Sequence, residues 1–247
     1  MANALGSGAE QAVNAAGGIE FDRIRLVLLD LDGTLVDSLP DLAFCGNAML
    51  AELGHEPHDT EAARAWVGNG IDRFVKRFLT GQMQAEPEAD LFERGREAFI
   101  RIYGANVAER SRVYDGVFDG LDTLAARGLH LGCVTNKAGS FTADLLRAMR
   151  LDRYFELVVA GDTTPRKKPD PMPLRFAADH FGLDSGECLM VGDSANDVKA
   201  ARAAGFRVVA VPYGYNHGYS IEECNPDLVV TDLRELAELF SKGGVEK

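Results

Sequence analysis

The chain is sparing with three residue types that often carry chemistry: one tryptophan, four cysteines and five histidines in 247 residues. Cys45, Cys133, Cys188 and Cys224 lie far apart with no CxxC pair, which excludes a zinc ribbon or a disulfide framework. They read as reduced packing thiols of a cytoplasmic protein. The histidines have no metal-like spacing. No apolar run approaches the roughly 18 residues of a membrane span, so no membrane partner is expected. The opening "MANALGSGAEQAVNAAGG" lacks the basic flank and apolar block of a secretory signal, and residues 1–20 are expected to be a flexible tail. Basic residues are the minority charge, 26 against 38 acidic, for a net charge of -12. That balance excludes a nucleic-acid partner, because counterion release needs a basic surface. It leaves room for an anionic substrate in a locally positive site.

What the chain does have is an alternation. Short apolar runs, "RLVLLD", "LHLGCVT", "FELVVA", "ECLMVGD", "FRVVAV" and "PDLVV", read as strands. Helix-period segments such as "VFDGLDTLAARG", "SFTADLLRAMR" and "NDVKAARAAG" fall between them. The expected fold is α/β: a Rossmann-like parallel-sheet core covered on both faces. From Ser38 the text turns helical, through "LPDLAFCGNAMLAELG", "TEAARAW", "GIDRFVKRFL" and "DLFERGREAFIRIYG". Residues 38–112 are therefore expected to be an inserted all-helical unit, with 21–37 and 113–247 forming the core. The crossings near Val36–Leu39 and Arg112–Gly116 are the expected hinges.

In open α/β sheets chemistry collects at the carboxyl ends of the strands. The first run ends in "LVLLDLDGTLVDS". Asp30 and Asp32 are two apart, so extended backbone points both carboxylates to one side. Gly33 permits a sharp turn, and Thr34 is expected to hydrogen-bond back across it. Two such acids can divide a task, one ionised as nucleophile and one carrying a proton. "GDSAND" ends a later strand and opens a helix. Mg²⁺ takes oxygen ligands in near-octahedral geometry. The carboxylates of Asp30 and Asp193 and the backbone carbonyl of Asp32 would supply three of them. Asp197, one helical turn on, would orient a ligand water or a lysine. "VTNK" offers the Thr135 hydroxyl and the Asn136 amide, followed by a helix whose first N–H groups could cradle phosphate. "RKKPDP" holds Lys168 before a proline, where it can project a point charge into the site. Arg166 and Lys167 read as a solvated basic loop.

These four segments, "DLDGTLVDS", "VTN", "KKPDP" and "GDSAND", resemble in order the four motifs of the haloacid dehalogenase-like hydrolases. The resemblance runs from about Ile24 to near the end of the chain. It implies the Rossmann-like core with a helical cap after the first motif. It implies Asp30 as the nucleophile that becomes an aspartyl-phosphate, and Asp32 as general acid and then base. Thr135 and Lys168 would hold the phosphoryl group, and Asp193 would be the third magnesium anchor. A narrower likeness links "WVGNG" (Trp66 to Gly70) and "YGYNHG" (Tyr213 to Gly218) to bacterial phosphoglycolate phosphatases. Gly68 and Gly70 would let backbone N–H groups approach a small carboxylate, and Asn69 would add an amide donor. Gly33 and Asn136 complete the expected binding set. The implied activity is magnesium-dependent hydrolysis of a small phosphorylated metabolite, 2-phosphoglycolate foremost, by a monomer or homodimer. The core motifs leave open a sugar-phosphate phosphatase or a mutase. A phospho-accepting signalling domain fits poorly, since such domains have about half this length and no cap.

Overall fold

The computed structural model describes residues 18–242. Its strands are β1 (Leu26–Leu29), β2 (Val36–Asp37), β3 (Arg112–Val113), β4 (His130–Val134), β5 (Leu157–Val159), β6 (Cys188–Gly192), β7 (Arg207–Ala210) and β8 (Leu228–Val229). Six of them form one parallel sheet in the order β5-β4-β1-β6-β7-β8. The strands are fully apolar where both faces are covered. Val27, Leu29, Leu131, Cys133, Leu189 and Val191 share one buried cluster, and Leu26, Leu28, Val134, Cys188 and Met190 share the other. This is the two-residue period of a pleated strand between two helical layers. β1 lies between β4 and β6, where the order of the strands reverses, so their carboxyl ends border a crevice.

The helices are α1 (Leu39–Glu52), α2 (Thr60–Arg64), α3 (Ile71–Thr80), α4 (Ala89–Gly104), α5 (Val117–Ala126), α6 (Gly139–Ala148), α7 (Met172–Phe181), α8 (Ala195–Ala204) and α9 (Leu233–Lys242). Leu121 of α5, Leu145 of α6 and Leu236 of α9 pack on one face of the sheet. Leu174 of α7 and Val198 of α8 pack on the other. The helices α1 to α4 all fall between β2 and β3, which pair with each other as a short antiparallel ribbon, Val36 opposite Val113 and Asp37 opposite Arg112. Within this insert a run of rings is packed edge to edge or tilted, with Trp66 on Phe78 (5.0 Å), Phe78 on Phe74 (4.8 Å) and Phe74 on Phe99 (5.3 Å). Trp66 is thus a packing residue.

Of the expected tail, residues 1–17 lie outside the described residues. Ile19 is buried, and Phe21 meets Phe240 edge-on at 4.9 Å, so the ordered core begins before residue 21.

Candidate active site

The carboxyl ends of β1, β4 and β6 bring Asp30, Thr135 and Asp193 side by side. Asp30 directly follows β1, and its N–H still bonds the Val191 carbonyl of β6 at 2.9 Å. The chain then turns tightly, because the Leu31 carbonyl accepts from both Leu35 and Val36, and Gly33 N–H donates to Val36 O at 2.9 Å. Asp30 and Asp32 line one cavity together with Thr135, Asn136 and Lys137. Gly68 and Gly70 of the insert form part of its opposite wall.

Lys168 is held at three points. Its Nζ donates to Val134 O at 2.5 Å and to Asp197 Oδ1 at 2.7 Å, and pairs with Asp30 Oδ1 at 2.9 Å. The other oxygen of Asp197 accepts from the N–H and hydroxyl of Ser194 at the start of α8. Asp197 therefore positions the lysine and caps its own helix with the same carboxylate. Asp193 is buried, and its Oδ1 accepts from the Thr34 hydroxyl at 2.8 Å and its Oδ2 from Tyr215 N–H at 2.6 Å.

Electrostatics follow from burial. Oxygens of Asp30, Asp193 and Asp197 lie within 4.8 Å of one another, against the single ammonium of Lys168. Burial raises the Asp30 pKa to about 7 against the opposing pull of Lys168. Burial, then the charges of Asp197 and Asp30, lift Asp193 well above the carboxylate range. For Lys168 burial works against the charge, but Asp197 and Asp30 outweigh it and the pKa is raised.

Some expected roles are relocated. The Gly33 N–H is taken by Val36 within the turn, so it is not a free phosphate donor. The residue is instead pressed against Asp193, where a Cβ would come within 2.3 Å of Oδ2, at a φ of +93°. Thr34 bonds Asp193 rather than its own turn. Asn69 does not line the cavity; its Oδ1 accepts from Arg77 at 2.8 Å. At the start of α6, Gly139 N–H is taken by Asp162 at 2.9 Å, which weakens the expected helix cradle. Asn136 uses its amide on Gly68 O (3.0 Å) and Lys168 O (2.9 Å), joining the insert to the core.

Lys137 lines the same cavity and is absent from the residues expected there. It is buried, its Nζ lies 3.0 and 3.1 Å from the two oxygens of Asp32, and 4.9 Å from the centre of the Tyr103 ring. The signal was available: Lys137 stands two residues after Thr135, the same spacing that pairs Asp30 with Asp32.

Residues 27–211 match the family described as haloacid dehalogenase-like hydrolase. A phosphoglycolate phosphatase of Nitrosococcus oceani is 48% identical over 218 residues, covering 88% of this chain and 97% of that protein. One of Thiobacillus denitrificans is 48% identical over 219 residues, covering 89% and 96%. Among solved structures, one from Haemophilus somnus, described as a predicted phosphoglycolate phosphatase, superposes with a TM-score of 0.83 at 35% identity. It covers 88% of this chain and 98% of that one.

Proposed function

The chain belongs to the haloacid dehalogenase-like hydrolases, and from that premise we propose that it hydrolyses 2-phosphoglycolate to glycolate and phosphate through an aspartyl-phosphate on Asp30. The observation that carries this reading is the composition of one cavity. Its core side offers the paired acids Asp30 and Asp32 with Thr135. Its other side is formed by the insert: the loop residues Val67, Gly68 and Gly70, whose N–H groups have no partner among the described residues, beside the apolar side chains of Leu42, Ile71, Phe74 and Phe99. A phosphoryl group suits the first side and a carboxylate the second. The names of the relatives agree with this substrate.

In the proposed reaction Asp30 attacks phosphorus, and its new O–P bond forms as the ester P–O bond breaks. Asp32 gives its proton to the departing oxygen of glycolate. Asp32 then takes a proton from a water that attacks the aspartyl-phosphate, which frees phosphate and restores Asp30. Thr135 and Lys168 hold the non-bridging oxygens, and Asp197 keeps Lys168 in place. The donor set also fits a magnesium ion: all the available groups are hard oxygens, and oxygens of the three carboxylates Asp30, Asp193 and Asp197 lie within 4.8 Å of one another. Asp30, Asp193 and the carbonyl of Asp32 would hold the ion, which when bound neutralises the clustered anions and polarises the phosphoryl oxygen.

We take residues 38–112 as a cap moving about the β2–β3 ribbon, closing to exclude water during transfer. The four free thiols and the absence of a helix long and apolar enough to cross a membrane among the described residues accord with a cytoplasmic site of action.

The test is phosphate release with magnesium from 2-phosphoglycolate and from a panel of sugar phosphates. A kcat/KM for 2-phosphoglycolate about tenfold or more above every sugar phosphate is expected. A sugar phosphate in first place would overturn the substrate assignment.

A further inference from the structure

Arg77 of α3 is only 4% exposed, yet no carboxylate among the described residues pairs with it. Its guanidinium donates to the carbonyls of Trp66 (2.8 Å) and Met83 (3.3 Å) and to Asn69 Oδ1 (2.8 Å). Burial, with Arg73 nearby, pushes its pKa down to about 10, so it keeps its charge at neutral pH. A buried cation served only by neutral oxygens is costly. The site gains something in return, and the loop geometry says what.

In a trans peptide the C=O and the following N–H point opposite ways. With Trp66 O drawn to Arg77, the N–H of Val67 is turned away from it. Gly68 O is likewise drawn off, by the amides of Asn136 (3.0 Å) and Asn196 (3.3 Å). By the same rule the Asn69 N–H is turned away from those core amides, while the N–H groups of Val67, Gly68 and Gly70, the three loop residues that line the cavity, have no partner among the described residues. Gly70, at φ +82°, then opens α3, whose dipole adds positive character at the same point.

We propose that Arg77 is a positioning residue for the carboxylate of the substrate: it holds the loop Trp66–Gly70 so that the amides of Val67, Gly68 and Gly70 stay free beside the cavity, and it supplies from behind the charge that offsets the bound anion. This rests on the reading of the substrate as 2-phosphoglycolate. In the low-dielectric interior such a charge acts beyond contact distance.

The experiment compares 2-phosphoglycolate with ethyl phosphate, which has no carboxylate, in the wild type, Arg77→Met, Arg77→Lys and Asn69→Ala. Thermal melts establish that each variant is folded. Arg77→Met is expected to raise KM for 2-phosphoglycolate roughly 10–100-fold at nearly unchanged kcat, while moving ethyl phosphate less than about threefold. Arg77→Lys should recover most of that loss, and Asn69→Ala should show a smaller rise with the same selectivity. An equal change for both substrates would make Arg77 a structural brace and overturn the proposal. If Arg77→Met does not fold, Asn69→Ala decides: a selective rise in KM supports the role, and unchanged KM refutes it. A wild type with no preference for 2-phosphoglycolate over ethyl phosphate sinks the substrate reading itself. A preference that Arg77 does not control sinks only this inference.

Discussion

Replacing Lys168 with methionine keeps the stem of the side chain and removes the ammonium. That ammonium sits within 2.9 Å of Asp30, 2.7 Å of Asp197 and 2.5 Å of the Val134 carbonyl. Losing it strands two buried carboxylates. Breaking one buried ion pair costs about 3–5 kcal/mol, because the remaining charge has lost its partner. The two losses here should not add. Asp30 already has a pKa near 7 and can take up a proton, and Asp197 keeps its donors from Ser194. A net loss of about 3 kcal/mol is expected. For a chain of this size each kcal/mol moves Tm by about 2–4 °C, so Tm should fall by about 6–12 °C. The assay is thermal unfolding in a chelating buffer, so that no divalent cation compensates the anions. Adding Asp197→Asn to Lys168→Met removes one stranded charge and should restore about 1–2 kcal/mol, a coupling that a double-mutant cycle isolates. A Tm within about 2 °C of the parent, or strict additivity of the two substitutions, would refute this account of the charge cluster.

Asp32→Asn removes the transferable proton and should lower turnover by about 10²–10⁴-fold, read as phosphate release. Chelation should abolish turnover, with magnesium restoring it and calcium doing so poorly because it prefers more ligands and longer bonds. Gly214→Ala places a Cβ 2.3 Å from Asp193 Oδ2 and 2.4 Å from Gly33 O. It should destabilise the fold by about 1–3 kcal/mol and weaken magnesium binding measured by calorimetry. His217 donates its Nδ1–H to the Ala65 carbonyl at 2.7 Å, and because a carbonyl can only accept, the proton sits on Nδ1. Burial lowers its pKa below 6.5, so the unfolded chain protonates first. Its contribution to stability is complete above pH 6.5 and is lost as pH falls through the lowered value. Urea melts across that window should show the loss in the wild type and a flatter profile in His217→Gln.

Asp30 and Asp193 could be placed from the text alone because each ends a buried strand, and the parallel order of those strands fixes which ends are neighbours. The helical insert was visible for a similar reason: its apolar residues keep a helical period over a long stretch with no strand signal. Lys137 and Arg77 were missed because an isolated charge carries no local mark of its partner. Arg77 did leave a trace, since it stands three residues after Phe74 and one before Phe78, on the apolar face of α3 where a solvated charge does not belong. The β2–β3 ribbon, two residues to each strand, is too short for any periodicity to reveal.

The loop after β7 shows most clearly what pattern cannot supply. "YGYNHG" reads as an ordinary turn, yet its residues reach three separate parts of the molecule. Tyr215 N–H bonds Asp193 at 2.6 Å, and its hydroxyl bonds Asp37 of β2 while accepting from Leu39 N–H at 3.0 Å. His217 reaches Ala65 of the insert. The carboxylate proposed to anchor the metal, the ribbon proposed as hinge and the unit proposed as cap therefore share one short segment. A movement of the insert about β2 and β3 must strain or break the His217 contact while Tyr215 stays tied to both Asp193 and the ribbon. The proposed closure would therefore be linked to the charged cluster through backbone and side-chain bonds that depend on the long-range fold and not on the spacing of residues along the chain.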